Sequence, residues 1–462
     1  MEPLSKQITN AEIQNTDVLV IGSGLAGMGA AIEAVKHNAK VILLEKLDHP
    51  GGTSALSAGS FYAADTAIQQ KHQITDNSEQ FFDDWMKLAT QANDEYVDAE
   101  LVRYITEHSA ENLQWLIEHG VHITDKIKPS GKYEGRTTPR IHYAKSGKEM
   151  MSSIFDSLSA LNIPVYFNTR VTTLIQNNQS IIGVKAIHTS GEEIQIHASS
   201  VIIASGGFSG NPEMMAQYYP QYKRYENASV NVGDSIKMAE AVQADIIVKN
   251  AAQIFHTLPT DFGIGFSAPE GVYITPDGQR YVDENEYFFT RTRKLNDTGF
   301  GDTHLLVPAP LYARHSKGID QAIAEGMAFR TDTIEELAIQ LDVQPNVLQS
   351  TIEQYNAYAR AGYDSDFHKP SEYLYALEAP YIGLMMTGFI NDTFTSIRIN
   401  KHAQVIDQSG HVMKGLYAAG GAASSQTLNQ EYIGSGASLL NGLTFGRVAG
   451  RHAAISIIQS SI

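Results

Sequence analysis

One stretch narrows the fold more than any other: the apolar run Asp17 to Gly22, DVLVIG, passes without a break into Gly22-Ser23-Gly24-Leu25-Ala26-Gly27. A short apolar run that closes on glycine is the pattern of a strand buried on both faces of a parallel sheet. In the turn, the first glycine permits a tight reversal, the second lets a pyrophosphate approach the backbone, and the third lets helix pack on strand. The phosphates then lie on the N-terminus of the helix that follows, LAGMGAAIEAVKHNA. A second apolar strand, VILLE, ends at Glu45 about twenty residues past the glycines, where its carboxylate can accept hydrogen bonds from a ribose. A glycine turn alone also occurs in other α/β proteins. Strand, turn, helix, strand and acid in that order select a dinucleotide site.

The next segment bears on which dinucleotide. Pro50-Gly-Gly-Thr-Ser-Ala-Leu-Ser-Ala-Gly59 is rich in small residues and hydroxyls, so it can line a long ligand rather than only an adenosine end, which favours FAD over NAD. A flexible linker is the competing reading, weakened because small apolar residues, not charges, alternate with the hydroxyls. Further along, Val201 to Phe208 (VIIASGGF) is another apolar strand ending in glycines, preceded by the strand-like VYFNTRVTTLIQ and the hairpin pattern IIGVKAIHTSGEEIQIHA. Near the C-terminus stand Gly415-Leu-Tyr-Ala-Ala-Gly420, then Tyr432-Ile-Gly-Ser-Gly436-Ala-Ser-Leu-Leu, then Gly446-Arg-Val-Ala-Gly450. Cofactor segments at both ends imply an α/β, Rossmann-type domain split in sequence, over residues 1–212 and 389–462, with 213–388 inserted as a second domain.

Composition agrees with a large globular chain. Its 462 residues exceed one ordinary core, and 43% are hydrophobic. The net charge of −17 comes from scattered acids, which argues for solubility and against a nucleic-acid partner. The absence of cysteine removes disulfides, thiolate metal sites, thiol nucleophiles and cysteine-held iron–sulfur clusters. The histidines show no HxH or HxxxH spacing, so no metal site is expected. The polar N-terminus MEPLSKQITNAEIQNTD lacks a signal-peptide core, and no run approaches the about eighteen apolar residues of a membrane helix. A cytoplasmic protein without membrane insertion is the resulting expectation.

Assembled, these segments resemble the flavoprotein family that contains soluble fumarate reductases, succinate dehydrogenase flavoprotein subunits and 3-ketosteroid dehydrogenases. The resemblance covers nearly the whole chain and rests on DVLVIGSGLAGMGAA, LEKLDHPGGTSALSAG, VIIASGGF, NVGDSIKMA around Asp234, GVYITPDGQRYVDE, and GLYAAG with its glycine-rich sequel. It implies an inserted α+β capping domain, within which TDTIEELAIQLDVQPNVLQSTIEQYNAYARAG is a two-helix element, with a capping box from Thr333 to Glu336 and a second helix starting at Pro345. It also places FAD contacts on Gly22, Ser23, Gly24, Leu25, Ala26, Gly27, Glu45, Lys46, Gly52, Thr53, Ser54, Ala58, Gly59, Val171, Ser205, Gly206, Asp234, Gly420, Ser438 and Leu439. GGTSALSAG has no counterpart of the histidine that links flavin covalently in succinate dehydrogenases, so FAD is expected to be non-covalent. Gly421 stands where the family commonly carries an acid against the flavin's sugar-alcohol chain.

The catalytic residues separate the branches. Where the fumarate reductases have a histidine before a glycine-rich turn, this chain has Asn391-Asp392-Thr-Phe-Thr-Ser396, and an acid is a poor clamp for a dicarboxylate. The arginine expected just past Asp283-Glu284 is out of register, with Arg291 and Arg293 further on. Tyr432-Ile-Gly434-Ser-Gly436 instead is similar to the stretch with which 3-ketosteroid Δ1-dehydrogenases hold a ketone oxygen, by a tyrosine hydroxyl and a glycine amide. Two donors aimed at a developing enolate oxygen are each worth about 3 kcal/mol of barrier. Tyr287, slightly after the acidic pair, is the candidate base for the α-carbon proton. Each choice has a plainer alternative. Tyr432 can pack on the flavin ring, and Tyr287 lies in an aromatic cluster, YFF, suited to a core. Arg136, Arg140 and His142 stay outside the catalytic set, as loop residues suited to the solvated surface or an ion pair.

The expected activity is therefore FAD-dependent dehydrogenation of a cyclic ketone, steroid or cyclohexanone-like, with the electron acceptor open. The competitors are reduction of an unsaturated acid through Arg291 or Arg293, and a flavin-binding subunit without its own turnover.

Overall fold

A computed structural model describes residues 15–131, 135–226, 229–249, 251–257 and 268–460. The polar N-terminal residues 1–14 lie outside that set. Contacts divide the chain into two units, the first comprising Met1–Met214, Ala228–Ala252 and Asn391–Ile462, the second Met215–Asn227 and Gln253–Ile390.

The first unit is a Rossmann-type α/β fold. The elements that frame the site are β1 (Asn15–Ile21), α1 (Leu25–Lys36), β2 (Val41–Leu44), β3 (Ser60–Tyr62), β4 (Pro139–Ala144), β5 (Val165–Tyr166), β6 (Thr169–Asn177), β7 (Ser180–His188), β8 (Glu193–Ile203), α2 (Asp234–Ala241), β9 (Gln404–Ile406), β10 (Val412–Ala418) and α3 (Ala437–Ser460). The main sheet runs in the order β9-β10-β7-β8-β1-β2-β5, with β6 on β7 and a further pairing of β10 with β8. β10, β8, β1, β2 and β5 pair in parallel, with Ile21 opposite Leu44 and Ile203. Val18, Leu19 and Val20 are fully buried, as a strand covered on both faces requires.

β8 changes character along its length. From Glu193 to Ser199 exposed and buried residues alternate where it pairs antiparallel with β7; from Ser200 it is buried throughout, where parallel neighbours flank it. The expected hairpin is thus the outer half of a strand whose inner half, VII, enters the central sheet. The strand-like VYFNTRVTTLIQ is broken into β5 and β6 at Asn168, which takes a left-handed φ of 55°.

The second unit is α+β. Strands Val272–Ile274, Thr303–Leu306, Ala328–Thr331 and the start of Tyr381–Thr393 pair antiparallel. Helices Ile334–Leu341 and Pro345–Ala361 cover it through Leu337, Leu341, Leu348 and Ile352. The Thr333 side chain accepts the Glu336 N–H at 3.2 Å, and Pro345 occupies the first turn of its helix.

Candidate active site

The glycine turn divides its glycines by cause. Gly22 has φ +100°, and a Cβ on it would stand 2.6 Å from the Ala204 carbonyl oxygen; one on Gly27 would stand 1.9 Å from the Gly22 oxygen. The protein's own packing therefore demands both. Gly24 is different. Its Cβ would meet nothing nearer than Ser54 Oγ at 3.5 Å, so the polypeptide leaves open the space beside the start of α1. Gly24 offers no side-chain cap there, and the helix start leaves backbone N–H groups for an anion. Leu25 N–H is taken by Ser54 Oγ at 3.2 Å.

Glu45 ends β2 with a buried carboxylate that accepts Ser23 N–H at 2.8 Å, Ser23 Oγ–H at 2.6 Å and Leu47 N–H at 2.9 Å. It clamps the glycine turn to the second strand. The same carboxylate keeps lone pairs for a ribose. Lys46 and Arg170 both reach Asp234 at the start of α2, at 3.2 and 2.5 Å. Behind them Val171 is buried in β6. Asn231 fills the space over Gly206 and donates to Thr53 Oγ1 at 3.3 Å, so the segment before α2 is tied to the short helix Gly52–Leu56. Ala58 is exposed, and Gly59 abuts the Ser146 backbone.

The ends of β8 and β10 reverse on Gly206 and Gly420, with φ of +76° and +72°. A Cβ on Gly420 would lie 3.0 Å from Ala26 Cβ, which brings this turn beside the start of α1. Ser205 Oγ is buried there with no partner among the described residues. An open space at Gly24, free helix N–H groups and an orphaned hydroxyl fit a dinucleotide laid across the strand ends.

The C-terminal motif forms the start of α3, whose Gly442 lies against Gly420 and Ala26. Tyr432 is 2% exposed; its hydroxyl accepts Ser438 N–H at 2.8 Å and pairs with Ser438 Oγ at 3.0 Å. Ser438 and Leu439 are half-buried in the first turn of that helix. Gly436, also half-buried, has φ +100°, and its Cβ would come within 2.7 Å of the Phe61 backbone, so close approach to β3 already requires glycine. Its N–H has no acceptor among the described residues.

Arg136, Arg140 and His142, expected at the solvated surface or in an ion pair, are all buried, and both arginines are ion-paired. Arg136, 3% exposed, bonds the Glu431 carboxylate at 2.9 Å and the carbonyls of Glu431 and Tyr432, which fixes the backbone that carries Tyr432. Arg140 is fully buried between Asp76 and Asp84, each at 2.7 Å. His142 bonds Thr66 Oγ1 and the Arg140 carbonyl, both at 2.9 Å, and burial pushes its pKa down to about 4. The partners lie far away in sequence, so no local signal marks these pairs.

In the second unit, Tyr287 precedes the helix Phe288–Asp297, is 9% exposed, and packs on Phe288 and Phe289. Arg291, 4% exposed, donates to the carbonyls of Glu284 and Glu286 and lies over the Tyr273 ring, while Arg293 pairs with Asp297 at 2.7 Å. Glu284, from the RYVDE stretch, is fully buried between Arg280 and Lys369.

Residues 17–439 match the family model described as FAD binding domain. The chain is 30% identical over 460 residues to the fumarate reductase (cytochrome) of Shewanella frigidimarina, covering 97% of this chain and 78% of that one. Among solved structures it is similar to the open conformation of a flavocytochrome c3 fumarate reductase, with a TM-score of 0.73, 27% identity, and 98% and 82% of the two chains covered. It is also similar to a 3-ketosteroid-Δ4-(5α)-dehydrogenase from Rhodococcus jostii RHA1 in complex with 4-androstene-3,17-dione, with a TM-score of 0.76, 25% identity, and 96% and 98% covered.

Proposed function

The chain belongs to the FAD binding domain family, with fumarate reductases among its relatives, and on that premise we propose that it moves hydrogen across a carbon–carbon bond next to the carbonyl of an uncharged cyclic ketone. Bound FAD supplies the two-electron acceptor, or the donor in the reverse direction. We assign the pyrophosphate to Gly24 and the start of α1, the ribose to Glu45, and the flavin half to the Gly206 and Gly420 turns.

The observation that carries the reading is the Tyr432 hydroxyl bonded to Ser438 N–H beside a Gly436 N–H that has no acceptor among the described residues. A donor into the phenol oxygen strengthens that hydroxyl as a donor in its own right. Rotation of the Ser438 hydroxyl, so that it gives its proton to Tyr432 rather than taking one, frees the phenol proton for a carbonyl oxygen. Tyr432 and Gly436 then hold the charge that gathers on oxygen as the α-carbon loses its proton, and Arg136 keeps Tyr432 in place. We assign the base to Tyr287. The carboxyl of Asp392, for which no ion-pair partner stands among the described residues, disfavours an anionic substrate. Replacing Tyr432 by Phe is expected to lower kcat on a cyclic ketone by about a hundredfold to a thousandfold with the visible flavin spectrum intact. An unchanged rate would rule out this role.

The 30% identity to a fumarate reductase supports a second reading, reduction of an unsaturated acid. Reoxidation of the dithionite-reduced protein by fumarate is its signature.

A further inference from the structure

Asp392 holds a half-buried carboxyl with a single hydrogen-bond donor among the described residues. It lies between two glycines: a Cβ on Gly421 would stand 3.0 Å from its Oδ1 and 3.2 Å from its Oδ2, and one on Gly207 would stand 3.2 Å from Oδ1. Both glycines follow the positive-φ turns, Gly206 and Gly420, at the ends of β8 and β10. The next residue, Thr393, accepts Phe208 N–H through Oγ1 at 3.2 Å, which ties the strand end to the segment after β8.

Thr393 N–H, at 2.9 Å from Oδ1, is the one donor to this carboxyl among the described residues; none reaches Oδ2, and no cation pairs with it. The segments packed on it carry no other titratable side chain: residues 204–211 read ASGGFSGN and residues 419–426 read AGGAASSQ. A half-buried carboxyl oxygen without a donor from the chain is open to a donor from water or from a ligand. Burial alone pushes its pKa up to about 7.

Topology says what reaches it. With the pyrophosphate at β1 and the ribose at Glu45 on β2, the other half of a dinucleotide crosses the opposite neighbours of β1, namely β8 and β10. In FAD that half is the sugar-alcohol chain and the ring, which bear hydroxyl and N–H donors that a carboxylate can accept. We propose that Asp392 is a hydrogen-bonding contact to the flavin half of bound FAD, supplying from strand Tyr381–Thr393 a carboxylate that position 421 does not provide. The proposal rests on FAD binding and not on the choice of substrate.

Release of FAD from the holoenzyme, followed by flavin fluorescence in ultrafiltrates, tests it independently of turnover. Asp392→Ala is expected to weaken retention by about tenfold, the loss of one hydrogen bond to a charged group. Adding Gly421→Glu to that variant is expected to restore most of the loss, whereas Gly421→Glu alone, which crowds two carboxyls together, weakens retention. Wild-type-like retention in Asp392→Ala would overturn the proposal. Should that variant fail to fold, the near-isosteric Asp392→Asn decides by pH. The wild type is expected to hold FAD more tightly at pH 8 than at pH 6, because the ionised carboxylate is the stronger acceptor, and the Asn variant is expected to lose that difference. The same pH dependence in both proteins would also overturn it.

Discussion

Gly24 and Gly27 are three positions apart and are required for different reasons. Gly27→Ala forces a Cβ to 1.9 Å from the Gly22 oxygen and is expected to destabilise the protein by about 1–3 kcal/mol even without cofactor. Gly24→Ala meets only Ser54 Oγ at 3.5 Å, so the flavin-free protein is expected to melt as the wild type does while losing FAD. Equal melting losses in both variants would contradict the division. His142 gives a prediction in pH. Its neutral ring is held by Thr66 and Arg140, and its pKa of about 4 lies below the ordinary 6.5, so its contribution is complete above pH 6.5 and is lost as pH falls toward 4. The full linkage is on the order of 3 kcal/mol. His142→Gln should flatten the fall of the urea midpoint between pH 7 and pH 5; an unchanged slope would exclude the role. At this scale the sequence was legible where chemistry is local. The spacing of Gly22, Gly24 and Gly27 with Glu45 was readable because the turn and both strands lie within thirty or so residues, as such units do. The Arg136–Glu431 pair was not, because its partners are joined only by the fold.

At the scale of elements, α1 and α3 meet through glycine. A Cβ on Gly446 would stand 2.3 Å from the Ala26 oxygen, and one on Gly450 would stand 2.1 Å from the Ala30 oxygen. Residues four apart share a helix face, so this pair makes one smooth stripe on α3. Helix propensity alone predicts that Gly450→Ala stabilises the protein by about 1 kcal/mol. Packing predicts the opposite sign, a loss of about 1–3 kcal/mol in urea denaturation. A gain would disprove the close contact. The sequence marked Gly446 to Gly450 as glycine-rich without indicating what it packs on. It read the parallel strands well, since burial on both faces leaves an unbroken apolar run. It read VYFNTRVTTLIQ less well, because an asparagine break at Asn168 is a backbone event within an otherwise strand-like composition. Nothing in the composition of residues 228–252 announces that they belong with the first unit.

For the molecule as a whole, family and cofactor class were readable from motifs at both ends of the chain, whereas substrate choice depends on a few side chains. Relatives named for fumarate reduction and a structural neighbour named for a ketosteroid share this architecture, so fold does not decide between them. With no histidine in GGTSALSAG to link the flavin, acid or urea denaturation should release it into solution; yellow colour retained on the precipitate would mean a covalent link. Among the described residues no helix is long and apolar enough to cross a membrane.

The most direct test of the proposed chemistry is the anaerobic absorbance of the bound flavin during mixing with 3-ketosteroids, cyclohexanones and, after dithionite reduction, fumarate. Bleaching by a saturated cyclic ketone, lost in Tyr432→Phe while FAD stays bound, is the predicted result. Reoxidation by fumarate with no bleaching by any ketone would contradict it.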